Sequence, residues 1–261
     1  MLRNELRQAR MDFSLAPELA REHCEHAPHD EATTFIRVLS GVTHYLSRIA
    51  TGEARIYEGH LYGALGVRID EITDEQRDEI PKETARRALD GEHDDPTLDI
   101  FELTSAAARS PGFDEALLCV VEQQNRSLEQ FEDPGEPETR GIVMDKGGAS
   151  GIAHVHLIKE EVTPSDEGAA YLWGALMQLL DDYLDQPDDA ADGISTVFTE
   201  GYMDAAELER IRRDALNRIE ATWGYSPGMR RFRTITRLHR YAGMMRNRTP
   251  LEPSWVCPWY L

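Results

Sequence analysis

Apolar residues recur at intervals of three and four along nearly the whole chain, and nowhere is there a sustained alternation of apolar and polar residues. The first period belongs to a helix with one buried face, the second to a half-buried strand, so the pattern predicts an all-α protein. Helices are expected over 16–27, 31–51, 54–78, 82–90, 97–109, 113–131, 139–159, 165–186, 203–223 and 228–246. Side chains that compete for backbone hydrogen bonds, and residues that cannot continue a helix, stand between most of these segments. Asp30 is placed to cap one helix, Pro134-Gly135 breaks another, Thr163-Pro164-Ser165 starts the next, and Ser226-Pro227-Gly228 separates the last two. No internal repeat or low-complexity linker interrupts the order, and 261 residues of which 41% are hydrophobic can bury a full core, so residues 1–261 read as a single helical domain.

The balance of charge narrows the partners. Twenty-eight basic residues face 48 acidic ones, a net charge of −20, and a field of that sign repels nucleic acid and anionic membrane surfaces. Only three of the basic residues are lysine: Lys82, Lys146 and Lys159. The acidic excess suits a high-salt cytoplasm, and equally a soluble protein whose genome favours Arg. No stretch reaches the roughly 20 apolar residues of a membrane span, and Met1 to Arg10 is too polar for a signal-peptide core, so a cytoplasmic location is expected. Cys24, Cys119 and Cys257 lie far apart without metal-ligand spacing and read as packing residues. The tail from Pro250 to Leu261, with Trp255, Trp259 and Tyr260, is apolar enough to pack on the body or on a partner subunit, which leaves a homodimer open.

Two acidic motifs carry the chemistry. Asp181, Asp182 and Asp185 follow the apolar run from Ala169 to Leu180 at positions i, i+1 and i+4, with Gln178 on the preceding turn. On a helix this stacks carboxylates on neighbouring turns, where they repel unless a cation bridges them; hard oxygen ligands suit Mg²⁺ that also binds phosphate oxygens. Asp70, Glu71 and Asp74 repeat the spacing after a second apolar run, Tyr57 to Ile69. Two such helix ends facing one another across a pocket would hold metal ions against a departing diphosphate. The alternative for either motif is a solvated helix end, common in so acidic a chain. A third cluster, His93 to Asp99, is interrupted by Pro96 and reads as a loop in which Asp95 or Thr97 caps the helix that follows.

The order of these features resembles the class I isoprenoid synthase superfamily, which includes terpene synthases and trans-prenyltransferases. Met144 to Ser150, with Lys146 followed by Gly147-Gly148, resembles its kinked, lysine-bearing helix, and Lys146 stands 35 residues before Asp181, a similar spacing to the family's. Asp181-Asp182-Tyr183-Leu184-Asp185 resembles the second aspartate-rich motif and Asp70-Glu71-Ile72-Thr73-Asp74 the first, with Glu71 in place of the usual Asp. Gln123 to Gln130 resembles the polar stripe of the helix before the kink, and Arg237-Leu238-His239-Arg240-Tyr241 is similar to an Arg-Tyr pair that closes over diphosphate.

The resemblance implies a helical bundle around a central apolar cavity and a magnesium-dependent enzyme acting on a prenyl diphosphate. It implies a cluster of Mg²⁺ on Asp70, Glu71, Asp74, Asp181, Asp182 and Asp185, with Asp70, Asp74, Asp181 and Asp185 essential to turnover. Lys146, Arg240 and Tyr241, with Arg140 as a weaker candidate, would contact the diphosphate. Phe35, Tyr45, Tyr57, Tyr62, Phe101, Tyr171 and Trp173 are candidates to line the cavity. The first 55 residues contain no lysine, whereas trans-prenyltransferases bind their acceptor there through a Gly-Lys-Arg-type motif. The expectation is therefore a terpene synthase-like lyase, with chain-joining prenyltransferase activity, or an inactive accessory subunit of the same fold, as the alternatives.

Overall fold

A computed structural model describes residues 15–23, 29–75, 77–132 and 134–247, without the side chains of 29–31, 74–75 and 245–246. Among the described residues the chain is all-helical, with ten α-helices and no strand. They are α1 (Ala16–His23), α2 (His29–Ala50), α3 (Ile56–Asp70), α4 (Lys82–Leu89), α5 (Asp99–Ala107), α6 (Phe113–Ser127), α7 (Glu136–Ile158), α8 (Pro164–Asp192), α9 (Ala205–Trp223) and α10 (Pro227–Arg246). Short 3₁₀ turns at Pro96–Leu98 and Leu128–Glu132 lead into α5 and out of α6. All ten expected helices are present. Asp30, Cys24, Cys257 and the tail from Pro250 lie outside the described residues or side chains.

The helix boundaries have identifiable causes. Thr163 accepts a hydrogen bond from the Asp166 amide while Asp166 reaches back to the Thr163 amide, so two orphan donors at the start of α8 are satisfied reciprocally. Gly193 ends α8 and Gly224 follows α9 with φ of 72° and 78°, a region most side chains avoid. Asp95 caps the 3₁₀ turn before α5, accepting from the Thr97 amide at 2.9 Å and its hydroxyl at 2.6 Å. The third acidic cluster is thus a cap, as its sequence implied.

The chain falls into two compact units. The first comprises residues up to Asn125 together with His156–Glu161; the second comprises Arg126–Val155 and the chain from Val162 onward. In the first, α2 and α3 pack along their length, with α1 against both and α5 against α3 and α4. The contact of α2 with α3 is close because Gly59 and Gly63 let α3 lie on the backbone of Ser40 and Ile36. Ile36, Leu46, Leu61, Leu65, Ile100 and Phe101 form the buried layer of this unit.

The second unit is built on α8, with α9 and α10 packed against it. Trp173 packs edge-on to the ring of His154 from α7 and tilted against that of Phe232 from α10, at centroid distances of 5.5 and 6.2 Å. Burial leaves His154 and His239 neutral, each pushed down to about 4. On α7 the structure departs from expectation. Gly147 and Gly148 do not break the helix, which is continuous from Glu136 to Ile158. Instead, a Cβ on Gly147 would meet the Gly174 backbone of α8, one on Gly151 would strike Ala170, and one on Gly174 would strike Gly147. The small residues let two helix backbones touch.

Candidate functional site

The second acidic motif occupies the final turns of α8, and the helix carries it further than the sequence suggested. Pro187 cannot donate to the carbonyl of Tyr183, yet α8 runs on to Asp192. Asn247, just beyond α10, donates its amide to that carbonyl at 3.0 Å and to Gln186 Oε1 at 2.9 Å. A side chain from elsewhere in the chain thus supplies the hydrogen bond that proline removes. One further turn of helix then places Asp189 four residues beyond Asp185 and eight beyond Asp181, extending the acidic face to Asp181, Asp182, Asp185 and Asp189.

Electrostatics treat these four as one cluster. Asp182 is buried, and its Oδ1 accepts from Gln178 Nε2 at 2.7 Å, whereas its Oδ2 finds no hydrogen-bond partner among the described residues. Loss of hydration, reinforced by Asp185 and opposed by Gln178 and Lys146, raises Asp182 to about 6. Asp189 is pushed up to about 8 by desolvation and then by the charges of Asp182, Asp185 and Asp188. Asp181 keeps a solvent-exposed side chain, yet the protein around it and its neighbours Asp185, Asp182 and Asp189 hold its carboxyl well above the usual range. Lys146 is the basic group that opposes all three shifts, so its ammonium lies within electrostatic reach of the cluster.

The helix that carries Lys146 is clamped to α8. Tyr171 donates its hydroxyl to Asp145 Oδ1 at 2.8 Å and covers Gly148, where any Cβ would collide with its ring. Arg126 donates to the other Asp145 oxygen at 3.1 Å and pairs with Glu138. Burial and the Asp145 carboxylate raise the Tyr171 phenol far above its ordinary value, which keeps it a neutral donor. Lys146 therefore projects from a turn of α7 whose position against α8 is fixed.

The first acidic motif is arranged differently. The winding of α3 loosens after Asp70 into a π-helix over Glu71–Glu75, an irregularity often found at functional sites. Asp70 is half-buried and accepts from Gln124 Nε2 at 2.9 Å; the same amide donates to Thr73 at 3.1 Å. Glu71 is 1% exposed and pairs with Arg68 at 3.2 Å, within the first unit. The Asp74 side chain lies outside those described. The polar stripe of α6 and of the 3₁₀ turn after it supplies further ties of this kind: Asn125 bonds both backbone groups of Ile80 at 2.8 Å, and Gln130 donates to the Ser195 carbonyl.

The other expected contacts hold internal partners. Arg240 pairs with Glu209 at 3.1 Å and lies 5.0 Å over the ring of Tyr241, which is exposed. Arg140 donates to Glu136 at 3.0 Å, to Glu207 at 3.2 Å and to the Tyr202 carbonyl. Of the aromatic candidates, Tyr62, Phe101 and Trp173 are buried in the cores of their units, while Phe35 and Tyr57 are exposed. Cys119 is exposed rather than a packing residue, because it falls on the polar face of α6.

Among the described residues no three acidic, histidine or cysteine side chains are drawn together closely enough, as they stand, to enclose a metal ion. The donor set nevertheless suits a hard divalent cation: carboxylates on successive turns that repel one another, and a buried carboxylate oxygen on Asp182 left without a partner. Sequence reasoning missed Asp189 by ending the helix at Pro187, although its spacing from Asp185 signalled one more turn. Compared with models of protein families, with curated proteins and with solved structures, the chain matches none.

Proposed function

We propose that the chain is a magnesium-dependent enzyme of the class I isoprenoid synthase type, which ionises an allylic prenyl diphosphate and releases diphosphate to form a terpene. The observation that carries this reading is the acidic end of α8. Four carboxylates line successive turns, three of them are raised by desolvation and mutual repulsion, and Lys146 stands within their reach. An isolated solvated helix end would relieve such repulsion by hydration; here the repulsion is retained, which favours a cation when one is supplied.

In this reading Asp181, Asp182, Asp185 and Asp189 hold Mg²⁺, and Gln178 fixes the orientation of Asp182. Bound Mg²⁺ supplies positive charge that offsets the charge developing on the leaving diphosphate. Lys146 donates to a diphosphate oxygen, and the Tyr171–Asp145–Arg126 contacts keep its turn of α7 in place. By the resemblance, the superfamily's bundle supplies an apolar cavity in which aromatic faces stabilise the allylic cation. The absence of lysine before residue 55 favours the lyase over an enzyme that binds a second diphosphate as acceptor.

The test is incubation with geranyl, farnesyl and geranylgeranyl diphosphates and Mg²⁺, with and without isopentenyl diphosphate, followed by mass spectrometry. Hydrocarbons or alcohols without the acceptor establish the lyase. Longer diphosphates formed only with the acceptor establish the transferase, and an unconsumed substrate in every mixture rejects both.

A further inference from the structure

The net charge of −20 is unevenly distributed. Residues 205–247, which contain α9 and α10, hold ten basic and four acidic residues, a balance of +6 that leaves −26 on the remainder. Helix α10 alone carries six arginines and no acidic residue. Some of this charge is used internally: Arg233 pairs with Glu220 at 2.7 Å, and Arg212, Arg213 and Arg240 all converge on Glu209. Arg230, Arg231 and Arg237 are not used in this way. All three are exposed, and their side chains form no hydrogen bond or ion pair among the described residues.

Their positions define one face. Arg230, Arg231, Thr234, Arg237, Leu238 and Tyr241 recur at three- and four-residue steps, so they share the outer stripe of α10, while Phe232, Thr236 and His239 are buried on the opposite side. Leu238 and Tyr241, 45% and 48% exposed, stand on the same stripe as these three arginines. Arginines interleaved with an aliphatic and an aromatic side chain match the boundary of an anionic bilayer, where headgroups take the charge and the acyl edge takes the apolar groups.

We propose that the outer face of α10 docks the protein on an anionic lipid surface. Charge complementarity selects this occupant: the face is cationic, and it is one helix long, which suits a planar partner touched on one side. The −26 on the remainder repels a nucleic acid and an anionic bilayer alike, so what favours the bilayer is the pair of exposed apolar side chains, Leu238 and Tyr241, within the cationic stripe. The inference rests on the surface of α10 and not on the acidic cluster of α8, so it stands or falls independently of the proposed reaction.

The test is co-sedimentation of the full chain with vesicles of neutral phosphatidylcholine and with vesicles containing 30–40% phosphatidylglycerol, a composition chosen at roughly physiological anionic content. The salt is set to the lowest concentration at which circular dichroism shows the helical fold. Binding is expected to the anionic vesicles only and to weaken as salt is raised. The triple variant Arg230→Glu, Arg231→Glu, Arg237→Glu should lose on the order of a hundredfold in partitioning, since each arginine near such a surface contributes about fivefold. A triple variant of equal charge in the first unit, Arg21→Glu, Arg37→Glu, Arg87→Glu, should bind like the wild type. No binding by the wild type, equal binding to neutral vesicles, or equal loss in both triple variants would overturn the proposal. The salt and lipid dependence of the unaltered protein decides the case if either variant fails to fold.

Discussion

The two acidic motifs share a spacing and differ in almost everything that decides their chemistry. At the end of α3, Glu71 is buried against Arg68, and Asp70 is held by Gln124. At the end of α8, Asp182 is buried with one oxygen unpartnered, Asp182 and Asp189 are raised by desolvation, and the charge of Asp185 helps to raise Asp181, Asp182 and Asp189 alike. Carboxylates at i, i+1 and i+4 specify which side chains can meet. Whether they become a structural ion pair or a site awaiting a cation depends on the groups opposite them. In the first motif an arginine three residues before Glu71 supplies the counter-charge from the same helix; in the second no basic residue stands within a turn on α8.

The sharpest way to break this comparison is to remove one carboxylate from each motif and measure both activity and stability. Asp181→Ala and Asp182→Asn are expected to lower Mg²⁺-dependent diphosphate release by about a thousandfold, the scale of losing a preorganised electrostatic group, while leaving the fold intact. Apo-protein melting temperature should hold or rise in Asp181→Ala as repulsion falls. Retention of full activity in both would remove α8 from the reaction. Glu71→Ala should show the opposite emphasis. It leaves the buried Arg68 with only its longer pair to Asp95 at 3.7 Å, and breaking one side of a buried pair costs about 3 kcal/mol or more, so urea unfolding should shift strongly. An unchanged midpoint would mean that Asp95 suffices as the partner of Arg68.

Lys146→Ala tests the cation that balances the second motif. Losing one charge-assisted hydrogen bond contributes about 1.5–3 kcal/mol, so diphosphate affinity in the presence of Mg²⁺ should fall roughly ten- to a hundredfold. Without Lys146 the shifts of Asp181, Asp182 and Asp189 should grow, since it lowers all three. Calorimetric titration of inorganic diphosphate would show both effects, and unchanged affinity would return Lys146 to a surface role.

The acidic end of α8 also sets the sign of a pH dependence. Asp182 at about 6 and Asp189 at about 8 lie above the ordinary carboxylate value of roughly 4, so between about pH 4 and 8 the native state binds more protons than the unfolded one. Apo-protein stability is then greatest near pH 4 as far as these groups contribute, and declines as pH rises through 6 and 8. Mg²⁺ replaces those protons, so adding it should flatten the decline and release protons into the buffer. Thermal melts from pH 5 to 8 with and without Mg²⁺ would check both, and a melting temperature that rises across this range in the apo protein would contradict the shifts.

Local chemistry made the helices legible. Thr163 and Asp166, Asp95 and Thr97, and the glycines after α8 and α9 act within a few residues, so their effects can be read from neighbouring letters. What was not legible depends on residues far apart in sequence. Gly147 and Gly148 suggest a break when read alone; only the facing Gly174 backbone and Tyr171 ring show what they make room for. The burial of Glu71 and the π-winding after Asp70 depend likewise on packing that no spacing rule encodes. Asp182 and Lys146 could be chosen from the sequence, but the coupling among Asp181, Asp182 and Asp189 required the helix to continue past Pro187.

That continuation yields the smallest and most specific prediction. Asn247 Nδ2 satisfies the Tyr183 carbonyl that Pro187 leaves without its helical donor, and it also bonds Gln186. Asn247→Ala removes both bonds and should cost about 1 kcal/mol of global stability, the net worth of such contacts once water takes their place. Its local effect should be larger than its global one, because the turn after Pro187 then loses its tie to the segment that follows α10. Amide exchange at Ala190, Ala191 and Asp192 should quicken, while the corresponding turns of α3 in the first unit should be untouched. If Asp189 belongs to the cation-binding face, the same variant should weaken Mg²⁺ binding several-fold, with Asp181, Asp182 and Asp185 still in place. Faster exchange with unchanged Mg²⁺ affinity would confine the site to the original three carboxylates; unchanged exchange would show that the last turn of α8 is held by something other than Asn247.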